Sequence, residues 1–219
     1  PSTIFAPDWA GPVKIERMRA FGAQVIVLKD ETAIIIEKFM GHAARTGALA
    51  VHPFDDSLVV CGQGTGGLEI ERQLPDLDTL LVSVGGGGLI AGITAWFQGR
   101  IKIVAVETEG TASLQNAFSD TPDLEISPSG IAASALGGTR LGVLPREILD
   151  RLRPHSVIVP DQAVFDAQVR LWDGVRIVAE PGAACALAAL TSGAYRPDKG
   201  ENVGVLVCGG NAQPGWFLG

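Results

Sequence analysis

The sequence predicts an α/β protein: an open, twisted, mostly parallel sheet flanked by helices. Three observations predict it. Short runs rich in β-branched residues alternate with stretches of helical spacing, the pattern of βαβ units. Two of those runs, 79–84 and 203–207, stop at consecutive glycines, as strands do where they hand over to a close turn. Across 219 residues, apolar content of 47% and charged content of 19% suit a chain with a buried core and not a disordered one.

The elements follow in order. Residues 2–6 read as a strand. Residues 12–21 have helical spacing, with Val13, Ile15 and Met18 set between Lys14, Glu16, Arg17 and Arg19, and Gly22 as the stop. Residues 24–28 form a second strand, 31–45 a helix striped by Ile34, Ile35 and Phe39, and 48–51 a third strand. That alternation predicts a parallel βαβαβ unit. His52-Pro53-Phe54-Asp55-Asp56 is a linker, dividing a smaller α/β domain, 1–52, from a large domain, 53–219. Residues 57–74 are ambiguous, because Leu58-Val59-Val60 is strand-like while Leu68, Ile70 and Glu71 are helix-like. One helix is favoured, capped by Ser57 or Asp56 and packed through a narrow face of Cys61, Gly62, Thr65 and Leu68.

Residues 79–84, four glycines (Gly85 to Gly88) and the apolar stretch 89–97 read as buried strand, bare turn and helix. Glycine lacks a Cβ, so a ligand can approach the main chain. The first turn of a helix adds unpaired N–H donors and a partial positive charge. Together these make an anion cradle, most often for phosphate. A tight packing turn is the structural alternative. A strand at 101–106 ends at Glu107, 113–118 is helical, and 121–142 is loop-rich, with Pro122, Pro128 and Gly137-Gly138. After a strand at 156–159, Asp161 caps a helix to about residue 178 with apolar Val164, Phe165, Val169 and Trp172. Glu180-Pro181-Gly182 opens an Ala-rich helix with Pro at its first position. The last strand, 203–207, ends at Cys208-Gly209-Gly210-Asn211, and no internal repeat is present.

Composition excludes several partners. A formal charge of -7 argues against nucleic acid or an anionic membrane. No charge occurs from Thr79 to Gly99, yet the glycine run breaks any spanning helix, and no signal peptide is expected. Cys61, Cys185 and Cys208 are far apart with no metal-ligand spacing, which suits a reducing cytoplasm; His42, His52 and His155 form no cluster with them. The chain opens at Pro1 without an initiator Met and enters a strand directly, as a chain cut into.

Three constellations carry chemistry. Gly86-Gly87-Gly88-Leu89-Ile90-Ala91 fits GxGxxA between a strand and a helix, with Glu107 about 20 residues on, the form of a dinucleotide fingerprint. Against a nicotinamide-dependent oxidoreductase, at least three strands precede the motif, and Gly62-Gln63-Gly64-Thr65-Gly66-Gly67 satisfies GxGxxG as well. Glu180, before a helix start, either favours the helix dipole or sits near a bound ring. Cys208 stands at a strand's C-terminal end, the edge where open parallel sheets bind ligands. A buried, inert thiol is the alternative, and nothing marks it as a nucleophile.

Taken together, His52-Pro53-Phe54-Asp55-Asp56, Gly62-Gln63-Gly64-Thr65, the stretch 83–92, Val106-Glu107, Glu180-Pro181-Gly182-Ala183 and Cys208-Gly209-Gly210-Asn211 occur in the order found in one family. The chain resembles the pyridoxal-phosphate enzymes of the tryptophan-synthase-β fold type, most closely the serine/threonine dehydratases. The resemblance implies that Gly85, Gly86, Gly87, Gly88 and Leu89 hold the phosphate of pyridoxal 5'-phosphate through main-chain N–H groups. It implies that Cys208, where many relatives have Ser, lies beside the pyridine nitrogen, with Glu180 near the ring and Gly130 in a loop bordering the site. Ser129 departs from the Asp that often precedes that glycine. Some relatives bind a cation through a Glu and an Asp six residues on; Glu107 matches, Ser113 does not, and no metal is expected. The Schiff-base lysine and the loop that grips the substrate carboxylate have no match here, since Lys14, Lys29, Lys38, Lys102 and Lys199 all read as solvated. No catalytic residue is therefore assigned within this chain, and the chain alone is expected to be inactive. The smaller domain is then a remnant. The parent protein is expected to be a cytoplasmic, homodimeric lyase that converts L-threonine or L-serine to a 2-oxo acid and ammonia, unregulated and catabolic because the chain ends soon after Asn211. A non-catalytic module that keeps the phosphate cradle is the other reading.

Overall fold

The computed structural model describes residues 1–120 and 125–212. By contact density the chain forms two compact units, Pro1–Val51 and His52–Gly219. In the first, β1 (Thr3–Pro7) and β2 (Gln24–Leu28) pair in parallel, with Thr3 opposite Gln24 and Pro7 opposite Leu28. Parallel neighbours need a crossover, and α1 (Pro12–Ala20) provides it, with Pro12 at its first position, where no N–H is missed. The unit continues with α2 (Thr32–Thr46), whose Ile35 is buried. The expected strand at 48–51 does not form. Among the described residues no strand pairs with this segment, and Leu49 and Val51 stay exposed, so neither ladder bonds nor burial hold it extended.

In the second unit, α3 (Ser57–Gln73) starts where the Asp56 carboxylate accepts the N–H groups of Leu58 and Val59, at 2.8 and 3.2 Å. There follow β3 (Thr79–Ser83), α4 (Gly88–Phe97), β4 (Lys102–Thr108) and α5 (Ser113–Ala117). Then come α6 (Ala133–Leu136), α7 (Val143–Arg151), β5 (His155–Val159), α8 (Asp161–Val175), α9 (Pro181–Thr191) and β6 (Val203–Val205). The sheet order is β5-β4-β3-β6, and every pair is parallel. All five residues of β3 are buried, and its centre, Leu80-Leu81-Val82, is apolar without alternation. Alternate residues still divide between two cores. Leu81, Val104, Val106 and Val157 pack with α8 and α9, while Leu80, Val82, Ile103 and Ala105 pack with α3, α4 and α7. The parallel sheet between helical layers is the predicted fold class.

Three expectations are corrected here. The face that α3 turns to its neighbour is not Cys61, Gly62 and Thr65, all three of which are exposed. It is Val60, Gly64 and Gly67, at helical spacing. A Cβ at Gly92 of α4 would stand 2.3 Å from the Val60 carbonyl, so the two backbones touch there. Asp161 does not cap its own helix; Pro160 occupies that position, and the Asp161 carboxylate instead accepts the N–H of Ile131 at 2.9 Å. The loop-rich segment contains α6, and α7 follows it unforeseen. Thr121 and Pro122 lie outside the described residues.

At the N-terminal edge of the sheet, Glu201 accepts from the Thr79 and Tyr195 hydroxyls, from Lys102 at 3.0 Å and from the Asp198 N–H at 2.7 Å. Those donors, Thr79 first, push its carboxyl down to about 2. The Tyr195 hydroxyl and Glu201 raise Lys102 well above the usual lysine value. Among the described residues no helix is long and apolar enough to cross a membrane.

Candidate functional site

The glycine run leaves the C-terminal end of β3, and α4 starts at its fourth member. Gly87 has φ +88°, a left-handed conformation that side chains with a Cβ disfavour. Around the run the protein has closed to contact distance. A Cβ at Gly86 would meet the Phe54 ring at 2.4 Å, one at Gly88 the Phe54 Cα at 2.9 Å, and one at Gly85 the Leu136 Cα at 3.1 Å. Both readings of the run therefore have a basis: these glycines do permit tight packing.

The hydrogen bonds add what packing alone does not require. The Gly85 carbonyl accepts the Ser113 hydroxyl at 2.6 Å, the Gly86 carbonyl accepts the Gly142 N–H at 3.1 Å, and the Gly87 carbonyl accepts the Ala91 N–H at 2.9 Å. In a trans peptide the carbonyl and the following N–H point to opposite sides. Holding three carbonyls in succession thus turns the Gly86, Gly87 and Gly88 N–H groups away from those partners. Among the described residues, none of the N–H groups from Gly85 to Leu89 donates to a protein acceptor. The Gly138 backbone passes beside this edge, where a Cβ would lie 2.9 Å from the Gly86 nitrogen and cover it. Donors of this kind at a helix start, with a partial positive charge behind them, suit an anion.

Glu107 is fully buried one strand away. Its carboxyl accepts the N–H groups of Leu114 (2.6 Å) and Gln115 (3.0 Å), with the Ser113 hydroxyl at 3.3 Å. Burial outweighs those donors and pushes the carboxyl up to about 7. A carboxylate so enclosed cannot reach a ribose, which removes the acidic partner that the dinucleotide reading needs. The second GxGxxG lies inside α3 and forms no turn. Among the described residues no group of three or more His, Cys, Asp or Glu could hold a metal ion.

The other predicted residues lie along the same sheet edge. β6 is the neighbour of β3, so the two glycine-ended runs emerge side by side. Glu180 precedes α9 and is buried against Gly209, where a Cβ would meet its Oε1 at 2.1 Å; its N–H donates to the Gly209 carbonyl at 3.1 Å. Cys208 is exposed, yet its thiol is raised above the ordinary value, first by partial loss of hydration and then by the Glu180 carboxylate. Cys185, inside α9, is buried and pushed up to about 12, by burial first and by Glu107 next; it is an inert core thiol. Gly130 has φ +80°, and a Cβ there would meet the Asp161 carboxylate at 2.3 Å. Its glycine identity thus has a local reason in the Asp161–Ile131 bond. The segment after it borders the run, with Ala135 at Gly182 and Leu136 at Gly85.

Sequence reasoning missed the residues that shape the run from a distance. Asp55 accepts the Val143 and Leu144 N–H groups, each at 2.9 Å, tying the linker to the start of α7. His52 Nδ1 accepts the N–H groups of Phe54 (3.3 Å) and Asp55 (2.9 Å), and burial lowers its pKa. Phe54 and Asp55 stood in a motif but had no role. Ser113 stood only as a departure.

Comparison with known proteins shows the family and the fold. A family described as pyridoxal-phosphate dependent enzyme matches residues 1–209. An L-threonine ammonia-lyase of Thermotoga maritima is 32% identical over 214 residues, covering 96% of this chain and 53% of that protein. A serine racemase of Oryza sativa is 28% identical over 226 residues, covering 98% and 65%. Among solved structures, maize serine racemase superposes with a TM-score of 0.88 at 27% identity, covering 100% of this chain and 68% of that one. Threonine deaminase isoform 2 of Solanum lycopersicum gives 0.86 at 27%, covering 99% and 64%. The chain spans about half the length of the first curated relatives it matches. The chain belongs to the pyridoxal-phosphate dependent enzyme family.

Proposed function

We propose that the parent protein is a pyridoxal-phosphate-dependent ammonia-lyase acting on L-threonine or L-serine, and that Gly85, Gly86, Gly87, Gly88 and Leu89 hold the cofactor phosphate. The observation that carries the reading is the run of N–H groups from Gly85 to Leu89 without a protein acceptor among the described residues, those of Gly86, Gly87 and Gly88 turned from pinned carbonyls and that of Gly86 left uncovered by Gly138. The residues fit a phosphate ester: backbone donors at a helix start bind a dianion without any lysine or arginine. Pyridoxal phosphate, when bound, supplies the electron sink for chemistry at the amino-acid Cα. Cys208 in this reading stands beside the ring nitrogen as a neutral thiol, which its raised pKa favours, with Glu180 behind it and Gly130 in the bordering loop.

Two lysines of this chain are engaged elsewhere: Lys38 pairs with Asp30, and Lys102 pairs with Glu201 at the opposite edge of the sheet. Residues 53–219 thus act as the cofactor-binding domain, residues 1–52 belong to a smaller one, and this chain by itself does not turn over. The ammonia-lyases and dehydratases among the curated relatives are named for threonine, which favours it over serine; we propose a cytoplasmic homodimer as the working form. The test is to add pyridoxal 5'-phosphate and either amino acid and follow 2-oxo acid and ammonia. The comparison is between this chain and a longer protein that includes the family's lysine. Product from the longer protein alone is expected. Product from neither, with no bound-cofactor absorbance, overturns the reading.

A further inference from the structure

We infer that Ser113 is a positioning residue for the glycine run: its hydroxyl holds the Gly85 carbonyl and so aims the Gly86 N–H into the anion cradle. The inference rests on the reading of that run as the phosphate site. It starts from the one-hydrogen limit of a hydroxyl. Ser113 Oγ lies 2.6 Å from the Gly85 carbonyl and 3.3 Å from Glu107 Oε1, so its hydrogen belongs to the shorter, stronger bond, to Gly85.

Ser113 is itself fixed from behind. Glu107, buried at the end of β4, accepts the next two N–H groups, of Leu114 and Gln115. These hold the first turn of α5 against the strand and leave Ser113 1% exposed, with no room to choose another rotamer partner in solvent. The Gly85–Gly86 peptide is otherwise poorly restrained, since glycine on both sides lets the plane rotate at little cost. Rotating it would exchange a donor for a carbonyl oxygen at the cradle, repelling a phosphate instead of binding it. The Gly86 and Gly87 carbonyls are held by backbone groups. In this peptide alone the fastening is a side chain, and one that a single substitution removes.

The test uses the purified protein and two probes, pyridoxal 5'-phosphate and phosphate-free pyridoxal, in equilibrium dialysis. Losing one hydrogen bond to the peptide should weaken pyridoxal 5'-phosphate binding by roughly tenfold in Ser113→Ala, while pyridoxal affinity stays the same. A ³¹P resonance of the bound ester should also move in the variant. Ser113→Cys, which keeps the volume and offers only a weak donor, gives the same result and serves where the alanine variant does not fold. Equal loss for both probes, or no loss for either, overturns the positioning role. If the unaltered protein binds both probes equally, the phosphate site itself is overturned, and the role of Ser113 falls with it.

Discussion

The ring of Phe54 lies so close over Gly86 that a Cβ built on the glycine would stand 2.4 Å from it. Phe54 belongs to the linker that opens the second unit and Gly86 to the turn after β3, so the chain's boundary motif is also a wall of the site. Gly86→Ala should therefore destabilise the fold by about 1–3 kcal/mol, the usual range for overpacking. Phe54→Ala costs packing of its own, but the pair should be less than additive, because the smaller ring-side residue relieves the clash. Thermal unfolding of the two single variants and the double variant reads this directly; strict additivity would mean that the two residues do not press on each other.

Asp55 should prove structural in a similar way. Its carboxylate serves two otherwise unpaired N–H groups at the start of α7, from Val143 and Leu144. Asp55→Ala should lower stability by about 1–2 kcal/mol, the range for losing a helix cap. Chemical denaturation gives the figure, and an unchanged midpoint would contradict the cap.

Glu107 predicts a pH dependence whose sign can be worked out. Burial raises its carboxyl from 4.5 to about 7 in the folded protein. Between those values the native state keeps a proton that the unfolded chain has released, so stability falls as pH rises through the window and levels off above it. The loss is about 3 kcal/mol at most. Glu107→Gln should remove most of that slope, its single carbonyl oxygen keeping only one of the two acceptors that serve Leu114 and Gln115. Denaturation midpoints measured from pH 4 to 8 decide it, and equal slopes in both proteins would show that another group titrates.

Cys208 is exposed but should react slowly. Its thiol is raised by partial dehydration and by Glu180, and only the thiolate alkylates readily. Iodoacetamide labelling followed by mass spectrometry should place its inflection above the ordinary thiol value of about 8.5. Glu180→Gln should bring that inflection down. A Cys208 labelled fastest at neutral pH would contradict the placement beside Glu180.

Much of the fold was legible because it is written in local pattern. The buried run at 79–84, the glycines after it and the apolar helix that follows announce a strand, a turn and a helix without any knowledge of neighbours. The capping Asp56 and the helix-opening Pro181 were legible for the same reason. What could not be read depends on partners distant in sequence. The segment 48–51 has strand composition but no strand beside it among the described residues. The packing face of α3 is chosen by Gly92 and Trp96 on α4, and α7 is started by a carboxylate 88 residues away. At the site, the glycines and Cys208 stand in motifs, whereas the bond from Ser113 to Gly85 crosses 28 residues and leaves no mark in the sequence.

The central claim is that bare amides from Gly85 to Leu89 receive a phosphate ester. Amide ¹H–¹⁵N spectra of the labelled protein, titrated with pyridoxal 5'-phosphate and separately with pyridoxal, test it most directly. The account predicts that the resonances of Gly85 to Leu89 shift downfield with the phosphorylated compound and stay nearly still with the other. Shifts confined to other parts of the chain, or identical responses to both compounds, would contradict it.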